Sequence, residues 1–358
     1  MKKISCLFAL ILLFSGCVSH VAKPESPKIT RVFCWGIPRT EAEAAKYAAA
    51  GATDIRVTNQ KQLEWVQKYG MTAYCGSFIP AGPHPQVLSP DEEIYHNYIN
   101  GLDLGKNIPA AERKRIIENR RIEKKHRYGG DMVTDLDTVN VKTIACFGCD
   151  EDLKHTKLKI DRILAKAPAG VKGIFIDYLG YLNHRGCYCT DCVLRCLHFL
   201  RENKLADTPE NRALFYRKIL VDYYNAVVDH VKSRRPEFKV VAHIYPEFKP
   251  DPLYGNRTKV DFCGQTVSWY FQWQPEVIRH STSVVINEAQ KYFPQAQGIP
   301  FIGINTNAKS SLGYKTPEDV AKDIECVIAA GADTLMVCSG SAMITPGYFE
   351  VFKRYCGR

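Results

Sequence analysis

The sequence lacks the short motifs that mark several large classes of enzyme. It contains no G-x-S-x-G nucleophile elbow, no H-E-x-x-H helix and no phosphate-binding P-loop. After the first predicted strand, where a dinucleotide-binding protein would have a G-x-G-x-x-G turn, the residues are Trp35-Gly36-Ile37-Pro38. These absences argue against a serine hydrolase of the elbow type, a metalloprotease and a nucleotide-dependent enzyme.

Long apolar runs are also missing beyond the first residues. Lys2 and Lys3 precede an apolar core from Leu7 to Phe14, which is shorter than the roughly 20 residues of a spanning helix. Ser15-Gly16-Cys17 follows, and the whole pattern resembles a bacterial lipoprotein signal, with an ordinary cleaved signal as the alternative. We therefore expect a signal peptide at 1–16, lipid attached to Cys17, a tether at 17–28, a membrane as partner through that anchor, and a place in the bacterial cell envelope.

Acidic residues are fewer than basic ones, and the formal net charge is +10. Part of the excess is local, because the stretch from Arg113 to Arg127 (RKRIIENRRIEKKHR) holds only two acids. One interpretation is a solvated helix face, and the other is a patch that attracts an anionic glycan or membrane headgroups. We expect no nucleic-acid partner, since the chain contains no recognisable binding motif.

Apolar, β-rich segments alternate with amphipathic helical segments along most of the chain, and 46% of all residues are hydrophobic. Eight such alternations predict a single α/β domain over 29–358, a (β/α)₈ TIM barrel, with a long excursion at 77–145 after strand 3. An open doubly wound sheet is the alternative. The strands are predicted near 30–35, 53–57, 71–75, 171–176, 238–244, 260–266, 301–304 and 333–338.

Six cysteines are clustered rather than dispersed. Cys187, Cys189 and Cys192 form a C-x-C-x-x-C run after the fourth predicted strand, and a structural zinc site needs four ligands of this kind. The fourth ligand is expected to be Cys146 or Cys149, with Cys196 a further candidate. Disulfides among these thiols are the alternative, because an exported protein meets an oxidising compartment.

The segment from Cys146 to Phe199, with its strand ending in an acid and its CYCTDC run, resembles the family 42 glycoside hydrolases of the β-galactosidase type. The resemblance implies a barrel hydrolase with a structural zinc beside the mouth of the active site. The family has an Asn-Glu pair at the end of the fourth strand, where this chain has Ile176-Asp177. The family's glutamate at the seventh strand has no counterpart in Phe301 to Asn305.

Glycoside cleavage requires two carboxyl groups, one as proton donor and one as nucleophile or base. Asp177 ends the fourth predicted strand and Glu247 follows the fifth, so both are predicted at the C-terminal mouth where barrels carry their sites. We take these two residues as the candidate catalytic pair. Asp261 lies at the start of the sixth strand, on the opposite face, and is not a candidate.

Aromatic and polar residues recur after successive predicted strands. Aromatic rings suit the C–H faces of sugars, while Asn, Arg and His suit their hydroxyls. The chain is therefore predicted to be an enzyme, a glycoside hydrolase acting on a poly- or oligosaccharide, and the alternative is a non-catalytic glycan-binding surface lipoprotein. The predicted substrate-binding residues are Trp35, Arg56, Tyr178, Tyr181, His243, Trp269 and Asn305.

Overall fold

The computed structural model describes residues 29–78, 80, 82–84, 86, 144–181, 186–244, 257–270, 272–288, 293–310 and 313–357. Within them, eight strands alternate with helices along the chain. The predicted signal peptide and tether, Cys17 and most of the excursion lie outside these residues. The strands are β1 Arg31–Cys34, β2 Asp54–Arg56, β3 Thr72–Phe78, β4 Gly173–Leu179, β5 Lys239–Ile244, β6 Phe262–Ser268, β7 Gln297–Gly303 and β8 Thr334–Cys338.

The helices begin where the sequence provides capping residues. Thr208 and Thr316 accept hydrogen bonds from backbone N–H groups in the first turn, and each is followed by a proline, which has no N–H to leave unpaired. None of the described helices is both long and apolar enough to span a bilayer. The α-helices are α1 Glu41–Ala49, α2 Gln60–Lys68, α3 Asp150–Lys166, α4 Thr190–Glu202, α5 Pro209–Arg234, α6 Pro275–Glu288, α7 Pro317–Ala329 and α8 Tyr348–Cys356, with a 3₁₀ helix at Gly340–Ile344.

The eight strands are all parallel and close into a barrel in chain order, with β1 paired to β8. The predicted (β/α)₈ barrel is therefore confirmed, and the open sheet is wrong. Side chains alternate between the two faces of each strand, so the apolar runs fill two cores. The inner core includes Phe33, Tyr74, Phe175, Phe301 and Met336, while the larger outer core lies between the strands and the helices.

Two strands differ from their predicted extent in ways that matter for the site. β7 begins at Gln297 rather than Phe301, so Gly298 and Pro300 lie within the strand. β4 continues beyond Asp177 to Leu179, with a register shift against β5 between Ile176 and Leu179. Asp177 therefore lies inside β4, two residues before the strand ends, rather than directly after it.

Carboxylates at the N-terminal face of the barrel are paired with cations. Asp54 accepts two hydrogen bonds from Arg31, at 2.9 and 2.8 Å, and one from the Tyr74 hydroxyl at 3.0 Å. Asp261 binds Lys239 at 2.7 Å, Lys232 at 2.9 Å and a backbone N–H. Both aspartates therefore stabilise the barrel, as expected for this face.

Candidate functional site

Asp177 is held by a chain of hydrogen bonds that crosses three adjacent strands. Its Oδ1 lies 2.8 Å from Nδ1 of His243 on β5, and Nε2 of His243 lies 2.8 Å from the Thr266 hydroxyl on β6. The single proton of the Thr266 hydroxyl can go to Nε2 when Nδ1 carries the ring proton and donates to Asp177, or it can go to the Ile244 carbonyl at 3.2 Å. The His243 side chain is 2% exposed and that of Asp177 is 27% exposed. The carboxylate is therefore held on one side by a buried imidazole, while part of it remains accessible from the mouth of the barrel.

The imidazole is itself held by aromatic stacking. Its ring lies against Phe301 on β7 with centroids 3.7 Å apart and planes at 11°. The Trp269 ring stacks on His243, with centroids 5.6 Å apart, and on Tyr270, with centroids 4.4 Å apart. Gly303 makes room for this arrangement, because a Cβ there would meet the Trp269 ring at 2.5 Å. The stack restricts the orientation of His243 and hence that of Asp177.

Trp35 lies deeper than its predicted place in a sugar-binding wall. It is 6% exposed and packs on Phe175 at 4.8 Å, with its edge toward His243 at 6.1 Å. Its indole nitrogen is buried and has no hydrogen-bond partner among the described residues. Trp35 therefore closes the inner core beneath the mouth, and only a small part of the ring reaches the surface.

Arg56 and Asp177 line one cavity of about 710 Å³. Nε of Arg56 donates to the Gly76 carbonyl at 3.1 Å, which fixes the guanidinium beside the mouth. Burial lowers the pKa of Arg56, and the negative charge of Asp177 opposes that shift. Arg56, predicted as a substrate-binding residue, and Asp177, predicted as a catalytic one, therefore lie in the same cavity.

Two cysteines border the same mouth as neutral thiols. Burial raises the pKa of Cys338 to about 12, with a smaller contribution from the charge of Asp177. Burial likewise raises the pKa of Cys34 to about 12. A thiol of this kind is protonated at neutral pH, so neither residue is suited to be a nucleophile.

A buried ion pair supports the loops beyond β6 and β7. Nζ of Lys315 lies 2.5 Å from Asp323, 2.7 Å from the Ser268 hydroxyl and 3.1 Å from the Gly303 carbonyl. Both charged side chains are fully buried. Burial lowers the pKa of Lys315, and the carboxylate of Asp323 opposes that shift. This cluster holds the C-terminal ends of β6 and β7 in place, next to Trp269 and Gly303.

Four cysteines converge and could hold a metal ion. The sulfurs of Cys146, Cys187, Cys189 and Cys192 all lie within 4.8 Å of one another. Cys146 is 3.4 Å from Cys192 and 3.9 Å from Cys189. Tetrahedral bonds of about 2.3 Å place thiolates about 3.8 Å apart, so the spacing fits such a site. All twelve cysteines among the described residues are free thiols, which does not support the disulfide alternative.

Cys149 is not part of this group, so of the two predicted fourth ligands it is Cys146 that joins the three sulfurs, while Cys149 lies with His84 and Asp152 in a second group that could hold a metal. Its sulfur lies 3.3 Å from Nδ1 of His84, which is 3.3 Å from Oδ1 of Asp152. Asp152 also accepts hydrogen bonds from the backbone N–H groups of His84 and Cys146. Cys196 is likewise buried outside the four-sulfur group.

Two predicted sugar-binding residues have structural contacts instead. Tyr181 is 2% exposed and its hydroxyl donates to the Tyr216 carbonyl, so its place in the substrate site is corrected to the outer core. Asn305 donates to the Gly313 carbonyl at 2.8 Å and accepts from the N–H of Asn307, which shapes the loop after β7. The side chain of Tyr178 and all of Glu247 lie outside the described residues.

Thr266, Lys315 and Asp323 were missed by sequence reasoning. Thr266 and Ser268 occupy alternate positions of β6, a pattern that marks polar side chains on one face of an apolar strand. That signal was available. Lys315 and Asp323 are eight residues apart and surrounded by polar residues, and nothing in the sequence distinguishes them from exposed charges.

The fold has counterparts among solved structures. The glycoside hydrolase domain of PgaB (BpsB) from Bordetella bronchiseptica is similar over 92% of this chain and 98% of that domain, with a TM-score of 0.53 and 10% identity. At this identity the similarity supports the shared fold and not the site residues. No protein-family model and no curated protein matches the chain.

Two further structures are similar at lower scores. The alpha-L-fucosidase isoenzyme 2 of Paenibacillus thiaminolyticus gives a TM-score of 0.49 at 13% identity, covering 92% of this chain and 49% of the fucosidase. The beta-galactosidase of Bacillus circulans sp. alkalophilus gives 0.48 at 12% identity, covering 87% and 50%. The chain thus spans about half the length of each of these two enzymes.

Proposed function

We propose that this chain is a glycoside hydrolase whose reaction is centred on Asp177. The observation that carries the proposal is the partly exposed carboxylate, fixed by His243 at 2.8 Å on the C-terminal side of a closed barrel and opening on a cavity shared with Arg56. A carboxylate held by an imidazole and adjacent to a guanidinium is suited to be the ionised partner, either the nucleophile or the base. The shared fold of a glycoside hydrolase domain agrees with this role.

The second carboxyl group in this proposal is Glu247, acting as the proton donor. It is the third residue after Ile244, where β5 ends beside His243. An extended chain advances at most about 3.6 Å per residue, so Glu247 can lie within about 11 Å of the end of the strand. The separation of the two carboxyl groups would then decide the stereochemistry, since it is roughly 5.5 Å in retaining enzymes and roughly 6.5–9.5 Å in inverting ones.

Hydrolysis of a panel of aryl glycosides and glycans tests the proposal. We expect release of reducing ends by the wild-type protein and loss of that activity in Asp177→Asn, which keeps the size of the side chain. The Glu247→Gln variant is expected to lose activity most strongly on substrates with poor leaving groups, which need protonation. Binding of a glycan without any hydrolysis would support the non-catalytic, glycan-binding alternative.

The four-cysteine cluster holds a structural zinc ion in this proposal. Zinc favours four thiolates, and four sulfurs that lie within 4.8 Å of one another supply that set of ligands. We expect about one zinc per chain by elemental analysis, and its loss with a lower melting temperature in Cys187→Ser. Cys196→Ser is the matched control. A metal-free protein with an unchanged melting temperature would contradict the assignment.

The proposed location is the bacterial cell envelope, with lipid on Cys17. The support is the sequence pattern of residues 1–17 alone. Labelled fatty acid should be incorporated into the wild-type protein and not into Cys17→Ser, which should leave the membrane fraction. Wild-type protein recovered without lipid from the soluble fraction would point to the ordinary cleaved signal.

A further inference from the structure

We propose that the glycan bound beside Asp177 is anionic, carrying carboxylate or sulfate groups that are held by cations of α3. The inference rests on the proposed function for the position of the cleaved bond, and it adds the substrate class. It is based on the excess of basic over acidic side chains in the cavity that extends from the mouth along α3 and β3. This cavity has a volume of about 710 Å³, which lies within the range of roughly 300–1,000 Å³ for ligand pockets.

Four cations and one carboxylate line this cavity among the described residues. Arg56 is adjacent to Asp177 at the mouth, and Lys159, Arg162 and Lys166 follow one another along α3. Residues three or four apart share one face of a helix, so the three α3 cations form a stripe that faces the cavity. A cleft lined by charges of one sign attracts ligands of the other sign.

The acidic residue closest in sequence does not neutralise the stripe. Asp161 of α3 points toward α5, where its Oδ1 lies 2.9 Å from His230 and 3.2 Å from Arg234. Arg162 and Lys166 are exposed, and within the described part of the chain they form no ion pair within 4.0 Å. Their charges therefore remain available to a ligand.

Lys159 is the first cation of the stripe and is partly buried. Its Nζ lies 5.4 Å from the centroid of the Phe78 ring, and burial lowers its pKa. A cation placed in a partly dehydrated position gains more from an anionic ligand than a fully exposed one does. Phe78 and Ile163 also line the cavity and supply apolar surface for the faces of sugar rings.

The chemistry favours carboxylates and sulfates over hydroxyl groups. Guanidinium groups bind planar or tetrahedral oxyanions through paired hydrogen bonds, and these charge-assisted bonds are about twice as strong as neutral ones. Neutral sugars provide no negative charge to interact with Arg162 and Lys166. The basic stretch from Arg113 to Arg127 is an independent feature of the sequence with the same sign.

Binding to the Asp177→Asn variant, in which turnover is blocked, tests the inference. Calorimetry would use short oligosaccharides of polygalacturonate and alginate, each with its carboxyl-reduced counterpart, and of chondroitin sulfate with its desulfated counterpart. We expect at least one charged member to bind about tenfold or more tightly than its neutral counterpart, with an affinity that falls as salt rises. The carboxylate and sulfate arms distinguish the two sources of charge.

Removing two cations of the stripe provides the second measurement. Adding Arg162→Gln and Lys166→Gln should weaken binding of the charged ligand roughly tenfold, since each surface ion pair contributes up to about a fivefold change. Binding of the neutral ligand should not change. Lys154→Gln is the matched control, because Lys154 is an exposed cation of α3 that does not line the cavity.

Equal affinity for every charged and neutral pair would overturn the inference, as would full affinity in the double variant. Absence of binding to any charged ligand would do the same, and it would be the result if the cavity were closed to glycans. Failure of the proposed function has a different signature. A chain that binds the anionic ligands through α3 and hydrolyses nothing would retain this inference and refute the hydrolase assignment.

Discussion

Asp261 and Asp177 lie at opposite ends of the barrel and have different bonding partners. At the N-terminal face, the Asp261 side chain is 7% exposed and is bound by two lysines and a backbone N–H. At the C-terminal mouth, the Asp177 side chain is 27% exposed, and within the described part of the chain its bound partner is the imidazole of His243. Saturating a carboxylate with cations fixes it in a structural role, whereas a single partner leaves oxygen lone pairs that can reach a substrate. The comparison teaches that the partners of a carboxylate, rather than its burial alone, separate stability from function.

Replacing Asp177 by asparagine should have the largest effect on activity. The same change at Asp261, at the other end of the barrel, is the comparison described below. We expect Asp177→Asn to lower kcat by about 10³-fold, because the reacting carboxylate is lost. Its melting temperature should stay within a few degrees of the wild type. Kinetics on the best substrate of the panel, together with thermal unfolding, give the two readouts. An active Asp177→Asn would remove the basis of the comparison.

The ion pair of Lys315 and Asp323 lies near the C-terminal mouth, but both side chains are fully buried. It therefore tests whether a fully paired carboxylate has a structural role at this end of the barrel as well. Lys315→Met leaves the carboxylate of Asp323 buried without its cation, which should cost about 3–5 kcal/mol of unfolding free energy. Lys322→Met, an exposed change on the same helix, is the control and should have little effect. Denaturant unfolding measures both. Equal stability of the two variants would show that the pair contributes nothing.

Asp261→Asn should destabilise the barrel by about 2 kcal/mol and leave kcat unchanged in the folded fraction. Burial raises the pKa of Asp261, but the hydrogen bonds from Lys239, from the Val240 N–H and from Lys232 outweigh it, and the net shift is downward. Stability from a lowered pKa is present above the unfolded value of about 3.9 and is lost as the pH falls through the folded value.

Thermal unfolding between about pH 6 and pH 2 would test this sign. The difference in melting temperature between wild type and Asp261→Asn should be constant above about pH 4 and should shrink below it. A difference that grows as the pH falls would contradict the assignment. Loss of activity in the folded variant would contradict the separation of the two ends.

The smallest expected effect concerns the far end of the hydrogen-bond chain. Thr266→Val removes the hydroxyl 2.8 Å from Nε2 of His243, and we expect kcat to fall about tenfold while KM changes little. Thr266 is a positioning residue, so the pH profile of kcat should also shift, and Thr266→Ser should restore both. An unchanged pH profile would indicate that Thr266 only fills space.

Local patterns in the sequence were sufficient for the barrel and for two parts of the site. Apolar runs of β-branched residues alternating with capped helices predict eight parallel strands and favour the closed barrel over the open sheet, and the pairing of β1 with β8 decides between the two. Asp177 and Arg56 were predicted because residues at the C-terminal ends of parallel strands share one edge. The spacing of Cys187, Cys189 and Cys192 predicted a common cluster because one short loop can supply three sulfurs.

Tertiary structure decided which distant residues complete these features. Only the packing of the barrel distinguishes Cys146, which joins the three sulfurs, from Cys149, which contacts His84. Only closure of the strands in chain order brings Thr266 to His243 and His243 to Asp177. The physical reason is that periodicity and spacing report local geometry, whereas burial, ion pairing and side-chain stacking depend on neighbours that are far apart in the chain.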